Sequence, residues 1–225
     1  LNLAGIIMHK YLFSILFVSV LFSGCPSTRE TEGGKPTPSP PVVEKKPPRP
    51  EMTLRVAGLN LAKHSKKIEP KDIERFAASL KHDTIEILMM QGITRYPDLK
   101  TRSDIVEELS VRSEMRQTFG ETINILGRQQ GNAVFSSLPI RSSENTPYDG
   151  LRSSGFEAAL QAIIDCGVRE IVVVSTALPE KSSLEEQMSC ASKLASFNSF
   201  YINHPIIITG NLPGSKNIRS MAQYE

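Results

Sequence analysis

The chain has no tryptophan and only 6% aromatic residues, so any sizeable core must rest on aliphatic packing. That suits β-branched strands covered by helices. Cysteine is scarce too: three residues cannot form the dense disulfide framework of a small secreted scaffold. Of the four histidines, His82 and His204 have no metal-ligand spacing with any cysteine, which argues against zinc. The net charge of +2 is too small to imply nucleic acid or an anionic surface as a partner. What is present is enough apolar material, 40% of 225 residues, for one well-buried domain with accessory segments.

The N-terminus reads as a processing signal. From Met8 the order is a short basic head (His9, Lys10), an apolar run over residues 11–22, and the small residues Ser23 and Gly24 directly before Cys25. This resembles a bacterial lipoprotein signal, in which small residues admit the peptidase ahead of an acylated cysteine. On that reading residues 1–25 are leader and lipobox, Cys25 is the lipidation site, residues 1–7 are an upstream over-read, and the protein is expected in the bacterial cell envelope, held to a membrane by its N-terminal lipid. The alternative, an uncleaved anchor helix over residues 1–22, would need Lys10 in the middle of the span.

Residues 26–50 hold eight of the fifteen prolines, so neither helix nor sheet propagates through them. They read as a tether. Extended as polyproline, this stretch would hold a domain on the order of 75 Å from its anchor. The domain itself is expected to occupy residues 51–225.

Within it, residues 53–61 read as a strand whose last polar residue is Asn60. Pro70 opens a helix with Ile73, Phe76, Ala77 and Leu80 on one face. A strand over 85–90 ends in Gln91, Gly92 and Ile93. A second helix is expected from Ser103 as N-cap, burying Ile105, Val106 and Leu109. Strands follow at 122–126 and from Gly131 through Asn132 to a proline-marked exit at Pro139, then a hairpin over 156–164 and 170–176 around Asp165, Cys166 and Gly167. A capping box, Ser183 with Glu186, starts a helix carrying Met188, Ala191, Leu194 and Phe197 inward. The segment 205–215, Pro-Ile-Ile-Ile-Thr-Gly-Asn-Leu-Pro-Gly-Ser, reads as a strand buried on both faces with a sharp turn at Gly210. The expected order is β-α-β-α-β-β-β-β-α-β. Cys166 and Cys190, in a hairpin and a helix, are expected unpaired unless their geometry allows a bridge.

Six blocks, in order, resemble the endonuclease/exonuclease/phosphatase superfamily. Residues 54–61 look like its opening strand with a site Asn, and 86–93 like its Asp-Ile-Ile-x-Leu-Gln-Glu-Val strand. Residues 131–140 look like Gly-Asn-Ala-Ile-Leu-Ser-x-x-Pro-Ile, and 172–178 like the strand ending in His-Leu. Gln187 falls where a helix Gln is usual, and 206–213 looks like the strand ending Gly-Asp-x-Asn. The resemblance implies a DNase I-like four-layer α/β/β/α sandwich, incomplete at its C-terminal end, and metal-dependent phosphoester hydrolysis.

That chemistry needs carboxylates for a hard cation, an imidazole for protons and amides to orient phosphate. Residue by residue, most of these groups are missing. Asn60 keeps the site Asn, but the metal-binding Glu falls on Gly92, the His on Ala177, the Asp on Asn211 and the last Asn on Pro213. The sequence therefore points to a pseudoenzyme with no catalytic residues and no metal, in which Asn60, Gln91, Asn132 and Asn211 are the residual binding candidates for a phosphate-containing ligand or a protein partner, with no specific nucleic acid indicated. The alternative is a magnesium-dependent phosphoesterase with a relocated site, for which Glu86, Asp149 and Glu157 are the nearest carboxylates. A third reading is a truncated or decaying copy. Lys63, His64, Lys66 and Lys67 after the first strand read as a solvated loop, or as residues flanking an old phosphate groove.

Overall fold

The computed structural model describes residues 52–61, 68–97, 104–148, 158–177 and 183–211, with the side chains of residues 184 and 211 left out. The leader, Cys25, the tether, the Lys63 to Lys67 cluster, Ser103, Asp149, Glu157 and Pro213 lie outside the described residues. No helix among the described residues is long and apolar enough to cross a membrane.

Eleven elements follow the chain as β1 (Val56–Asn60), α1 (Pro70–His82), β2 (Ile87–Arg95), α2 (Ile105–Ser113), β3 (Arg116–Ile125), β4 (Arg128–Ser136), β5 (Ile140–Pro147), β6 (Ala158–Asp165), β7 (Glu170–Ala177), α3 (Leu184–Phe200) and β8 (Ile206–Asn211). They build two four-stranded sheets, β1-β2-β4-β3 and β5-β6-β7-β8. In each sheet one parallel pair is joined through a helix, β1 to β2 by α1 and β7 to β8 by α3; the other pairs are antiparallel.

β2 shows why the layers stack as they do. Its run Ile87-Leu88-Met89-Met90 is apolar at every position because both faces are covered, and the two-residue repeat sorts it cleanly. Leu88 and Met90 pack with Ile73, Ala77 and Leu80 of α1 and Val106 and Leu109 of α2. Ile87 and Met89 pack with Leu160, Ala162, Ile171 and Val173 of the second sheet. Behind that sheet, Ala159, Val172 and Val174 meet Cys190, Leu194 and Phe197 of α3. The layers are helix, sheet, sheet, helix: the expected four-layer sandwich.

Several boundaries differ from the sequence expectations, each for a physical reason. α2 is capped by Asp104, whose carboxylate accepts from the Val106 and Glu107 N–H groups at 3.0 and 3.4 Å, in place of Ser103. β3 starts at Arg116, six residues earlier than 122, and Leu126 belongs to the turn after it. β5 is an additional strand: Ser142, Ser143 and Glu144 are exposed along a sheet edge, so it carries no apolar alternation to announce itself. In α3 Met188 is 51% exposed and Ala191 is exposed as well, while Cys190, Leu194 and Phe197 are buried. Steps of three residues drift by about 60° each around a helix, so 188, 191, 194 and 197 cannot share one face; 190, 194 and 197 do. β8 is an edge strand with Ile208 41% exposed, not a strand buried on both faces.

The remaining features stand as expected. Ile73, Ala77 and Leu80 line the buried face of α1, Ile105, Val106 and Leu109 that of α2, and the Ser183–Glu186 capping box is formed. β6 and β7 make the hairpin, with Gly167 at φ 76 in its turn. Cys166 and Cys190 are not joined in a disulfide.

Candidate functional site

β1 and β2 in one sheet and β7 and β8 in the other end on the same side of the sandwich. In register, Asn60 lies beside Gln91 and Ala177 beside Asn211. Four of the positions singled out from sequence, Asn60, Gln91, Asn132 and Asn211, therefore gather at one end of the molecule.

Two of them are buried rather than presented. Gln91 is 2% exposed and Asn132 is fully buried. From β2, the Gln91 amide donates across the sandwich to Ser175 Oγ at 2.9 Å and Thr209 Oγ1 at 3.3 Å, while Ser175 Oγ donates back to the Met90 carbonyl at 3.1 Å. From β4, Asn132 Nδ2 donates to the Ala158 carbonyl at 3.0 Å, and its Oδ1 accepts the Gly92 N–H at 3.3 Å. The same Ala158 carbonyl accepts from Thr176 Oγ1 at 3.2 Å, and Thr176 pairs with the Tyr148 hydroxyl at 2.6 Å. Burial pushes the Tyr148 phenol up, with the Thr176 bond pulling the other way, so the ring stays neutral at physiological pH. Together these bonds form a polar seam from the α3 side of one sheet into the bulge of the other. Its members are satisfied by one another, as buried polar groups must be.

Ser175, Thr176, Thr209 and Tyr148 were not singled out from sequence. A signal existed: Ser175 and Thr176 break the apolar run of β7 with two consecutive hydroxyls, and Thr209 closes the three isoleucines of β8.

Gly92 sits in the irregular stretch of β2 between Met90 and Ile93, at φ 69. A residue with a side chain is disfavoured at such an angle. Gly210 is required for a different reason than a turn: it lies within β8, where an added Cβ would stand 1.9 Å from the Thr176 carbonyl oxygen. Ala177, where the resemblance expects an imidazole, is a 6% exposed methyl.

Glu86 lies at the other end of the sandwich. Its carboxylate accepts the Arg55 N–H at 3.0 Å, and it is five strand residues from Gln91, roughly 16 Å. A cleft of about 220 Å³ lined by Lys81, Ile85, Glu86 and Met115 is at that end as well. His82 contacts Asp83 and His204 contacts Glu170, so neither faces the seam.

This architecture is a DNase I-like sandwich, the fold of the endonuclease/exonuclease/phosphatase proteins. An endonuclease/exonuclease/phosphatase family protein from Leptotrichia buccalis superposes with a TM-score of 0.56 at 15% identity, over 75% of this chain and 72% of that one. One from Bacteroides vulgatus gives 0.56 at 14% identity, over 76% and 71%. The human Nocturnin catalytic domain gives 0.50 at 14%, over 73% and 66%. No protein-family model and no curated protein sequence matches the chain.

The fold family implies a divalent cation at this end, and the described residues do not fit one. A hard cation takes carboxylate oxygens, whereas Gln91, Asn132, Ser175, Thr176 and Thr209 offer amides and hydroxyls engaged with one another or with backbone groups. Among the described residues no three His, Cys, Asp or Glu side chains cluster in a way that could hold a metal.

Proposed function

We propose that the protein is a membrane-tethered, non-hydrolytic module: a DNase I-like scaffold, held through a lipid on Cys25 and the proline-rich tether, that binds or positions a partner instead of cleaving phosphoesters. The observation carrying this reading is Gly92. At the position where the resemblance places a metal-binding glutamate, the chain has a left-handed glycine whose N–H is bonded to the buried Asn132 amide. Ala177 in place of the imidazole adds to it. A general acid or base contributes about 10²- to 10⁴-fold in rate, and groups that act as a unit fail as a unit.

The test is a magnesium-dependent assay of the full chain on phosphodiester and sugar-phosphate substrates. The expected result is no turnover above background. Turnover abolished by Asn60→Ala would overturn the proposal in favour of a relocated site, for which Glu86 is poorly suited because it is engaged with Arg55 at the far end. The tether is tested separately by fatty-acid labelling in a bacterial host: label is expected on the wild type and lost in Cys25→Ser, and an unlabelled wild type would rule the lipid out.

A further inference from the structure

The β3–β4 hairpin combines backbone strain with an apolar tip. Ile125 pairs with Arg128, leaving a two-residue turn, Leu126 at φ 51 and Gly127 at φ 78. Positive φ at both positions is a type I′ turn, whose first position favours Asn, Asp or Gly. Leucine in a left-handed conformation is disfavoured by about 5- to 30-fold. Among the described residues no packing offsets this, since Leu126 is 100% exposed and Ile125 50%. A Cβ added at Gly127 meets nothing within 4 Å, so the tip stands clear of the described residues. A lone exposed leucine means little, but one held where asparagine fits better suggests that the side chain is needed outside the fold.

The tip also has a definite place. It continues β4 beyond Asn132, four residues or about 13 Å from the seam, on the side where β1, β2, β7 and β8 end. No acidic residue lies between Ile123 and Gln130, and Arg128 supplies a cation next to the two aliphatic side chains.

We propose that this tip is a lipid-interface contact: Ile125 and Leu126 enter the headgroup boundary, Arg128 meets anionic headgroups, and the end bearing the seam turns towards the bilayer. A convex two-residue tip cannot fill the roughly 800 Å² per partner of a stable protein interface, whereas a fluid interface needs no matching groove. Removing one leucine and half an isoleucine from water favours the bound side by about 10²-fold, too little to recruit a free protein and enough to orient one already attached. The inference therefore rests on the tether proposed above.

The absence of tryptophan makes the test direct. Single-tryptophan variants Leu126→Trp, at the tip, and Val168→Trp, 59% exposed in the β6–β7 turn at the opposite end, are made in the full chain. Each is incorporated into vesicles of phosphatidylethanolamine and phosphatidylglycerol, with and without brominated acyl chains. Flotation with the vesicles, blue-shifted emission and quenching by the brominated lipid at 126, with neither shift nor quenching at 168, is the expected result; Ile125→Trp is the second reporter if the first misfolds. Flotation with position 126 unquenched overturns the lipid contact and leaves the tether intact, and would point to a protein partner for the tip. Chain that does not float overturns both.

Discussion

Replacing Asn132 by alanine removes a side chain that bonds both sheets at the bulge, and the cost can be worked from its contacts. The Gly92 N–H loses the acceptor it has at 3.3 Å, in a site from which water is excluded. The Ala158 carbonyl loses one of its two side-chain donors and keeps Thr176. An orphaned buried donor costs about 1–3 kcal/mol and a lost but compensated bond about 0.5–1.5 kcal/mol, so Asn132→Ala should destabilise by about 3 kcal/mol. For a domain of this size that lowers the melting midpoint by about 6–12 °C. Thermal and urea unfolding followed by circular dichroism read it out. Ser143→Ala, which removes an exposed bond of 2.7 Å to Thr118, is the control and should stay within about 0.5 kcal/mol. Thr176→Val combined with Asn132→Ala strips both side-chain donors from Ala158, so the double variant should lose about 1 kcal/mol more than the sum of the singles. A cost under about 0.5 kcal/mol for Asn132→Ala, or a gain in stability, would refute the seam as a structural cross-link, because residues held for ligand binding are commonly neutral or stabilising to remove.

Three further outcomes follow from single residues. Gly92→Ala should cost about 1–2 kcal/mol from its left-handed backbone alone, and Gly92→Glu should destabilise at least as much without giving magnesium-dependent turnover; a Gly92→Ala variant as stable as wild type would contradict the strand geometry. Leu126→Asn should stabilise by about 1 kcal/mol, a rise of about 2–4 °C in midpoint, because asparagine tolerates the angle that leucine resists; an unchanged or lowered midpoint would remove the strain from the account. Burial, with the nearby Asp165 and Glu86 charges, pushes the Cys166 thiol up to about 11. Its folded form thus holds a proton that the unfolded chain gives up near pH 9, so Cys166 favours folding less as pH rises from about 9 to 11. Its alkylation at pH 8 should be about 100-fold slower than that of an unfolded cysteine, and equal rates would contradict the burial.

The sequence made the stacking order legible where a strand is apolar on both faces or a helix keeps one stripe: β2, β7, α1 and α2 all pack as their patterns require. It concealed β5, because an edge strand needs no apolar face, and it misassigned Met188 and Ala191, because a three-residue spacing looks helical over one turn and walks off the face over three. For the site, the pairing of β1 with β2, β2 with β4 and β7 with β8 brings the positions of Asn60, Gln91, Asn132 and Asn211 to one end, a convergence that the sequence left open. It could not show that Gln91 and Asn132 face inward. That depends on the bulge at Gly92 and on Ser175, Thr176 and Thr209 arriving from the other sheet, which are contacts between residues far apart in the chain.

The most direct measurement is the melting midpoint of the full chain with and without magnesium or manganese. A seat with affinity one hundred-fold below the metal concentration would stabilise the fold by about 2.7 kcal/mol, or about 5–11 °C. If the grip on a cation has been lost, the midpoint moves no more in 10 mM metal, roughly one hundred-fold above a ~0.1 mM affinity, than in sodium chloride of equal ionic strength. A saturable rise that disappears in Asn60→Ala would show that the cation site survives.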